Sequence, residues 1–269
     1  MSLPHDLVTR FKQFFVIVRA DTPDLLEQAF RLRYEVYCQE GLLPGFDPVD
    51  YPDGLERDIY DYEHRSVHCL LRHRPTGTNA GTVRLVRADP VQPDAPFPVE
   101  AAAGAAGQQI EQGHARMAGS IRRSIGECSR FILARRFRSR HGEQQWADGL
   151  AEGLDAGRGS NERRVLPHPV LGLIKAAMIM SWEQNISCWY TAMEPRLHRR
   201  LRQFGLELRP VSPLFDYHGP VRAHWGFLPE VFANMHRQRP EIWCLLTENG
   251  EIWPAPRDDG ASVTQRQAS

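Results

Sequence analysis

The sequence predicts an α/β fold, a mixed sheet with helices on both faces. Short β-branched apolar runs alternate with stretches of helical apolar spacing. Two of the strand-like runs flank a tight turn, so part of the sheet is antiparallel. Later strands are separated by helices, as in layered α/β chains.

Phe14-Phe15-Val16-Ile17-Val18 is the first strand candidate. Thr22 then precedes Pro23, an N-cap followed by proline in the first helical turn. Leu25, Ala29, Leu32, Val36 and Tyr37 continue at helical spacings, and this helix should end near Gly41. Residues 42–62 look irregular. Ser66 to Leu71 and Gly81 to Val86 form a predicted hairpin across Pro75-Thr76-Gly77-Thr78. Residues 88–119 predict a loop with a short helix near residue 110. Ile125 to Ala134 is the next strand.

Residues 135–165 are polar, Arg-rich and Gly-rich, which predicts a mobile loop. Pro169 opens a helix whose Leu171, Ile174, Ala177, Met178 and Trp182 share a face. Ile186 to Met193 is a strand. Pro195 starts a helix with Leu197, Leu201 and Phe204, closed by Gly205. Leu206 to Leu208 and Leu214 to Tyr217 suggest two short strands, and Phe227 to Arg237 a helix. Asn249-Gly250 between Ile242–Leu246 and Glu251–Trp253 predicts a hairpin, followed by a disordered tail from residue 256.

Thirty-three basic residues balance 33 acidic ones in the 269-residue chain. No global field attracts nucleic acid, and none is expected as partner. No run of about 18 apolar residues predicts a membrane span. The N-terminus lacks a signal-peptide pattern, so a cytoplasmic protein is expected. The five cysteines are scattered and none makes a C-x-x-C pair. Neither they nor the 11 histidines show metal-ligand spacing, so no metal is expected. Walker and G-x-S-x-G motifs are absent from the sequence.

Three segments carry candidate chemistry. Glu56-Arg57-Asp58-Ile59-Tyr60-Asp61 crowds three carboxylates; if extended, Glu56, Asp58 and Tyr60 share a face and Asp61 points elsewhere. It is either a pocket for a cationic acceptor or a solvated acidic loop. Gly126-Glu127-Cys128-Ser129-Arg130-Phe131 puts charges into an apolar strand, which is costly unless they are paired. Strand alternation sets Glu127 and Ser129 on one face and Arg130 on the other. The segment is either a site on the sheet or a structural ion pair with Arg84. Arg135, Arg136, Arg138 and Arg140 could hold phosphates or an acidic carrier protein, or form a solvated basic loop.

In order, Arg33-Tyr34-Glu35-Val36-Tyr37, Glu56-x-Asp58-x-Tyr60-Asp61, Gly81-x-x-Arg84-Leu85 and Glu127-x-Ser129-Arg130-Phe131 resemble the acyl-homoserine-lactone (autoinducer) synthase family. Leu171-Gly172-Leu173-Ile174-Lys175, Met193-Glu194-Pro195-x-Leu197, Gly205-Leu206 and Phe215-Asp216-Tyr217-His218-Gly219-x-x-Arg222 resemble the PEP-CTERM/exosortase-associated acyltransferases, and the N-acyl amino acid synthases are similar.

The resemblance implies a GNAT-like acyltransferase fold with a mostly antiparallel sheet over residues 10–225. A helix-and-hairpin extension would fill 226–255. The implied reaction is N-acyl transfer from acyl carrier protein or acyl-CoA to a small-molecule amine, with a long-chain acyl group, no bound cofactor and room for peripheral membrane contact. Matching the family's polar site, Glu127, Arg130 and Arg84 become candidate catalytic residues, with Glu127 as general base. Arg33, Tyr37, Asp58 and Asp61 would bind the acceptor. Ser129, Phe131, Arg135, Arg136 and Arg138 would bind the donor.

Lactone synthases carry a Trp after the first helix. The stretch Gly41 to Phe46 has none, which argues against S-adenosylmethionine as acceptor. Cys128 could act as a nucleophile, but direct transfer needs none. A non-catalytic acyl-binding or regulatory module on the same fold is the alternative.

Overall fold

The computed structural model describes residues 4–62, 65–111, 121–138 and 169–255. Helix α1 (Pro4–Phe14) leads into β1 (Phe15–Arg19) and α2 (Pro23–Tyr34). The short α3 (Ile59–Tyr62) follows, then the hairpin of β2 (Ser66–His73) and β3 (Thr78–Arg87), then α4 (Pro98–Ala105). Next come β4 (Ile125–Leu133), the turn α5 (Arg135–Arg138), α6 (Pro169–Glu183), β5 (Cys188–Met193) and α7 (Pro195–Gln203). The chain closes with β6 (Arg209–Pro210), β7 (Phe215–Asp216), β8 (Pro220–Phe227), α8 (Leu228–Gln238) and α9 (Pro240–Thr247).

The strands form one sheet in the order β1-β2-β3-β4-β5-β8-β6, with β7 paired to β8. All neighbours run antiparallel except β4 and β5. This is the mixed, mostly antiparallel α/β sheet the sequence predicts. One face packs on α1, α6, α8 and α9 through residues such as Phe11, Leu173, Met178, Phe232 and Leu245. The other holds Phe97, Val99, Tyr190 and Trp225, with Leu32, Val36 and Tyr37 as a separate cluster.

Local chemistry sets the ends of α2. Thr22 Oγ1 accepts the Leu25 amide at 3.4 Å, as its N-cap position predicts. At the C-terminal end the helix widens into a π-helical turn, Glu35–Gln39, which buries Val36, Tyr37 and Cys38.

Several expectations need correction. A short helix of the 88–119 segment lies at Pro98–Ala105, where Pro98 and the Glu100 carboxylate on the Phe97 amide fix its start, and most of the stretch where a helix near residue 110 is expected lies outside the described residues. Strand β8 is missing from the sequence reading, although Val221, Ala223 and Trp225 alternate inward. Pro240–Thr247 is a helix, not a hairpin strand: Ile242, Trp243, Leu245 and Leu246 all bury, and left-handed Glu248 and Asn249 stop it. A short apolar run does not by itself distinguish the two. Trp182 is half exposed rather than on the buried face of α6. The mobile loop expected to residue 165 and the tail from 256 lie outside the described residues, apart from α5.

Candidate active site

Strands β4 and β5 make a wedge. They pair in parallel only from Ile125 to Glu127 against Cys188 to Tyr190. Beyond that point each strand keeps its other neighbour, β3 or β8. Their facing edges part, and the backbone amides of β4 past Glu127 that face the gap have no strand partner there.

A bulge then re-aims β4. Ser129 pairs with Arg84 and Ile132 with Thr82, so Arg130 and Phe131 together oppose Val83. Arg130 takes a positive φ of 50°, a conformation costly for a long side chain. The bulge turns Arg130 to the face that carries Ser129, against the simple alternation expected from sequence.

On that face three guanidiniums and three carboxylates close a ring of alternating charge. Arg33 donates to Glu56 and, at 2.9 Å, to Asp61. Asp61 also accepts from Arg84 at 3.0 Å, and Arg84 reaches Asp58 at 2.7 Å. Asp58 accepts from Arg130 at 2.9 Å, and Arg130 returns to Glu56 at 2.9 Å. Arg84 also donates to Ser129 Oγ at 3.0 Å.

Burial alone would push the Glu56 carboxyl up, but Arg33 and Arg130 hold it down at about 2. Burial opposes ionisation of Asp61 too, and Arg33 and Arg84 keep it well below the ordinary carboxylate range. His68 lies 3.3 Å from Asp61; burial pushes its ring down toward the neutral form. The extended-strand reading of residues 56–61 is therefore corrected. Asp61 sits on α3 and joins Glu56 and Asp58, while Tyr60 turns to the cluster around Phe97 and Tyr190.

Glu127 stands apart from this ring. It pairs with neither Arg84 nor Arg130; its Oε2 accepts the Val99 amide at 2.8 Å in the first turn of α4. Burial pushes its carboxyl up to about 8, against the pull of that amide and of Arg84. Neighbouring Cys128 is pushed well above the thiol range by burial, so it stays protonated.

The wedge opens a cavity of about 170 Å³. An apolar void of roughly 150 Å³ accepts a benzene-sized hydrocarbon. One end carries Tyr37, Phe46, Glu127, Ser129, Arg130, Tyr217 and His218. The other runs between α6 and α7 along Ile174, Ala177, Leu197, Leu201, Leu206 and Leu208. Tyr37 and Phe46 stack at 4.5 Å between centroids, and the Arg130 guanidinium lies 5.8 and 5.6 Å from their rings. Phe46 stands on the cavity wall.

Of the residues singled out in sequence, Tyr37, Glu127, Ser129, Arg130 and Phe131 line this cavity. Arg33, Asp58, Asp61 and Arg84 lie behind it and hold Arg130. Arg135 and Arg136 line a separate cleft with Arg31, Gln28 and Asn79 past the end of β4. Arg138 does not fit the solvated basic loop: it is buried and paired with Glu40. The apolar wall on α6 and α7, the Val99 contact and the Tyr217-His218 end went unassigned in sequence. The wall residues look like ordinary core, but the Phe215-to-Arg222 motif was a usable signal.

Residues 32–147 match the acetyltransferase (GNAT) domain family. That match spans less than half of the chain and agrees with the mixed α/β sheet described above. Among solved structures, a CoA-dependent acyl-homoserine lactone synthase, BjaI with MTA, superposes at a TM-score of 0.52 with 20% identity, covering 90% of each chain. FeeM, an N-acyl amino acid synthase from uncultured soil microbes, gives 0.51 at 12% identity over 82% of this chain and 94% of its own. The acyl-homoserine lactone synthase LasI gives 0.50 at 14% identity over 82% and 92%. At these identities the likeness is one of fold. No curated protein matches the sequence. No helix of the described residues is long and apolar enough to cross a membrane. No cluster of metal-ligating side chains occurs among the described residues.

Proposed function

We propose that this protein moves a long-chain fatty acyl group from an acyl carrier protein or acyl-CoA thioester to the amine of a small molecule. The observation that carries this reading is the cavity through the β4–β5 wedge. It joins an apolar channel on one face of the sheet to a titratable, aromatic-walled end on the other. The first offers apolar contact to the part of the acyl chain next to the thioester, and the second faces the amine, with the thioester carbonyl at the gap. There the unpaired amides of β4 can donate to the developing oxyanion.

Glu127 takes the proton from the amine nitrogen as the C–N bond forms. Its raised pKa suits a base that operates near neutral or alkaline pH. Arg130 lines the amine end, and the charge ring of Arg33, Glu56, Asp58, Asp61 and Arg84 fixes its place. Phe131 flanks the gap on the donor side; Ser129, at the amine end, accepts from the Arg84 guanidinium instead of facing the donor. Arg135 and Arg136, at the end of β4, suit the phosphate of the donor or an acidic carrier. Arg138, buried and paired with Glu40, holds Glu40 on the wall of that cleft and does not itself meet the donor. The similar structures are of acyl-homoserine lactone and N-acyl amino acid synthases; Phe46 in place of the Trp favours an acceptor other than S-adenosylmethionine. The second-half motifs favour an acyltransferase serving a PEP-CTERM/exosortase system.

Mass spectrometry of lipid extracts from cells making wild type or Glu127→Ala tests the reading. An N-acyl species made only by wild type supports it, and its head group identifies the acceptor. If no N-acyl species forms and acyl-carrier or acyl-CoA thioesters give no thermal shift, the reading fails.

A further inference from the structure

His218 sits in the turn between β7 and β8 at a positive φ of 56°. Its Nδ1 lies 3.0 Å from the Pro44 carbonyl oxygen. A carbonyl only accepts, so Nδ1 carries the proton and donates. Nε2 is then the lone-pair nitrogen, and it has no hydrogen-bond partner among the described residues. The ring lines the same cavity as Glu127. It stacks on Phe46 at 4.2 Å between centroids, which fixes its plane. The tautomer, the ring plane and the cavity position together present a neutral imidazole to the amine end of the site. The residue is also half-buried, so it borders both cavity and solvent.

An amine meets a thioester with one proton too many. It arrives as ammonium and must lose two protons to become an amide nitrogen. Glu127 accounts for one.

We propose that His218 accepts the other, taking the ammonium proton on Nε2 before attack. This rests on the acyl-transfer reading above and adds a second proton acceptor to it. The ammonium proton passes to Nε2 and then to solvent. The freed nitrogen lone pair forms the C–N bond while the carbonyl pair moves to oxygen. That pair returns, the C–S bond breaks and its electrons leave on sulfur. The second nitrogen proton goes to Glu127 and from there to the thiolate. Net products are amide, thiol and one proton.

The surroundings suit the role. Burial and the Arg130 charge push the imidazole down toward its neutral form. The hydrogen bond to Pro44, Glu56 and Asp216 pull the other way, and burial prevails. Tyr217 packs beside the ring at 4.8 Å, and burial keeps its hydroxyl protonated. A neutral ring at neutral pH is the form that can take a proton.

The test uses the purified full chain, a long-chain acyl-CoA and two kinds of acceptor. One is a mixture of common amino acids, which are ammonium ions at neutral pH. The other is hydroxylamine, already neutral there. The variant is His218→Asn, because an Asn amide can still donate to Pro44 and tolerates a positive φ; an unchanged melting temperature confirms the fold.

We expect the variant to lose at least about 10-fold in rate with the amino acids at neutral pH. It should lose little with hydroxylamine, and the deficit should close as pH rises and the amines deprotonate unaided. Equal losses with both acceptors would make His218 merely structural, and no loss with either would remove it from the reaction; both overturn the proposal but leave acyl transfer standing. Failure of wild type to acylate either acceptor overturns the acyl-transfer reading and this proposal with it.

Discussion

Arg130 and Glu56 lie 74 positions apart and meet at 2.9 Å, in a contact that only the β4 bulge allows. The contact closes the ring of alternating charge. Each carboxylate in the ring serves two arginines, so removing one leaves two guanidiniums short of a partner. Glu56 and Arg33 are both fully buried. Breaking a buried pair by deleting one partner costs about 3–5 kcal/mol. Glu56→Gln should lower stability by about that amount in urea unfolding near neutral pH. A loss within experimental error would show that the ring relaxes without cost.

The same group sets an acid limit. Glu56 has its pKa depressed in the folded state, from 4.5 to about 2. Such a group contributes stability above its unfolded pKa and loses it as pH falls toward the folded value. Wild type should therefore lose stability between about pH 4.5 and 2, and Glu56→Gln should show a shallower fall across that window. Urea midpoints at stepped pH measure it. Parallel slopes would assign the acid sensitivity to other carboxylates.

Glu127 has the opposite sign. Its folded pKa is raised to about 8, so the protonated form is favoured and stability declines as pH climbs from the carboxylate range toward 8. Gln keeps the acceptor for the Val99 amide without that penalty. Glu127→Gln should melt at the same temperature as wild type at pH 4 and higher at pH 9. Its acyl-transfer rate should fall by about 10²–10⁴, and the wild-type rate should rise through pH about 8. A variant with full activity would remove Glu127 as the base.

Much of this arrangement was legible in sequence, and its limits have physical causes. Charges inside an apolar strand marked Glu127 and Arg130 because burying them demands partners. Thr22 and Pro23 fixed the start of α2 because capping is local. The bulge was invisible, since a one-residue insertion shows only against the partner strand. It reversed the expected side of Arg130 and, with the α3 turn, turned an acidic loop into a ring. The apolar cavity wall was equally hidden: Ile174 and Leu201 serve as core and as cavity lining with the same side chains.

Cys128 lines the cavity but should not form an acyl-enzyme. Burial and the adjacent Glu127 raise its thiol far above neutrality, and no activating base contacts it among the described residues. Mass spectrometry of wild type after incubation with an acyl-CoA alone should show the unmodified mass. A stable acyl adduct on Cys128 would replace direct transfer with a two-step route.

If the proposed acyl transfer holds, Ala177 is placed to set chain length. It lies on α6 among Ile174, Leu197 and Leu201, on the apolar part of the cavity. A larger side chain there fills the channel without touching the polar end. Overpacking a core position costs about 1–3 kcal/mol, which the chain can bear with a lowered melting temperature. Ala177→Leu should keep acyl transfer but shift preference toward shorter thioesters, raising KM for long-chain donors while short-chain turnover holds. Competition among acyl-CoA donors of graded length, read by product mass, measures the shift. An unchanged chain-length profile would show that the acyl group leaves the wedge by another path.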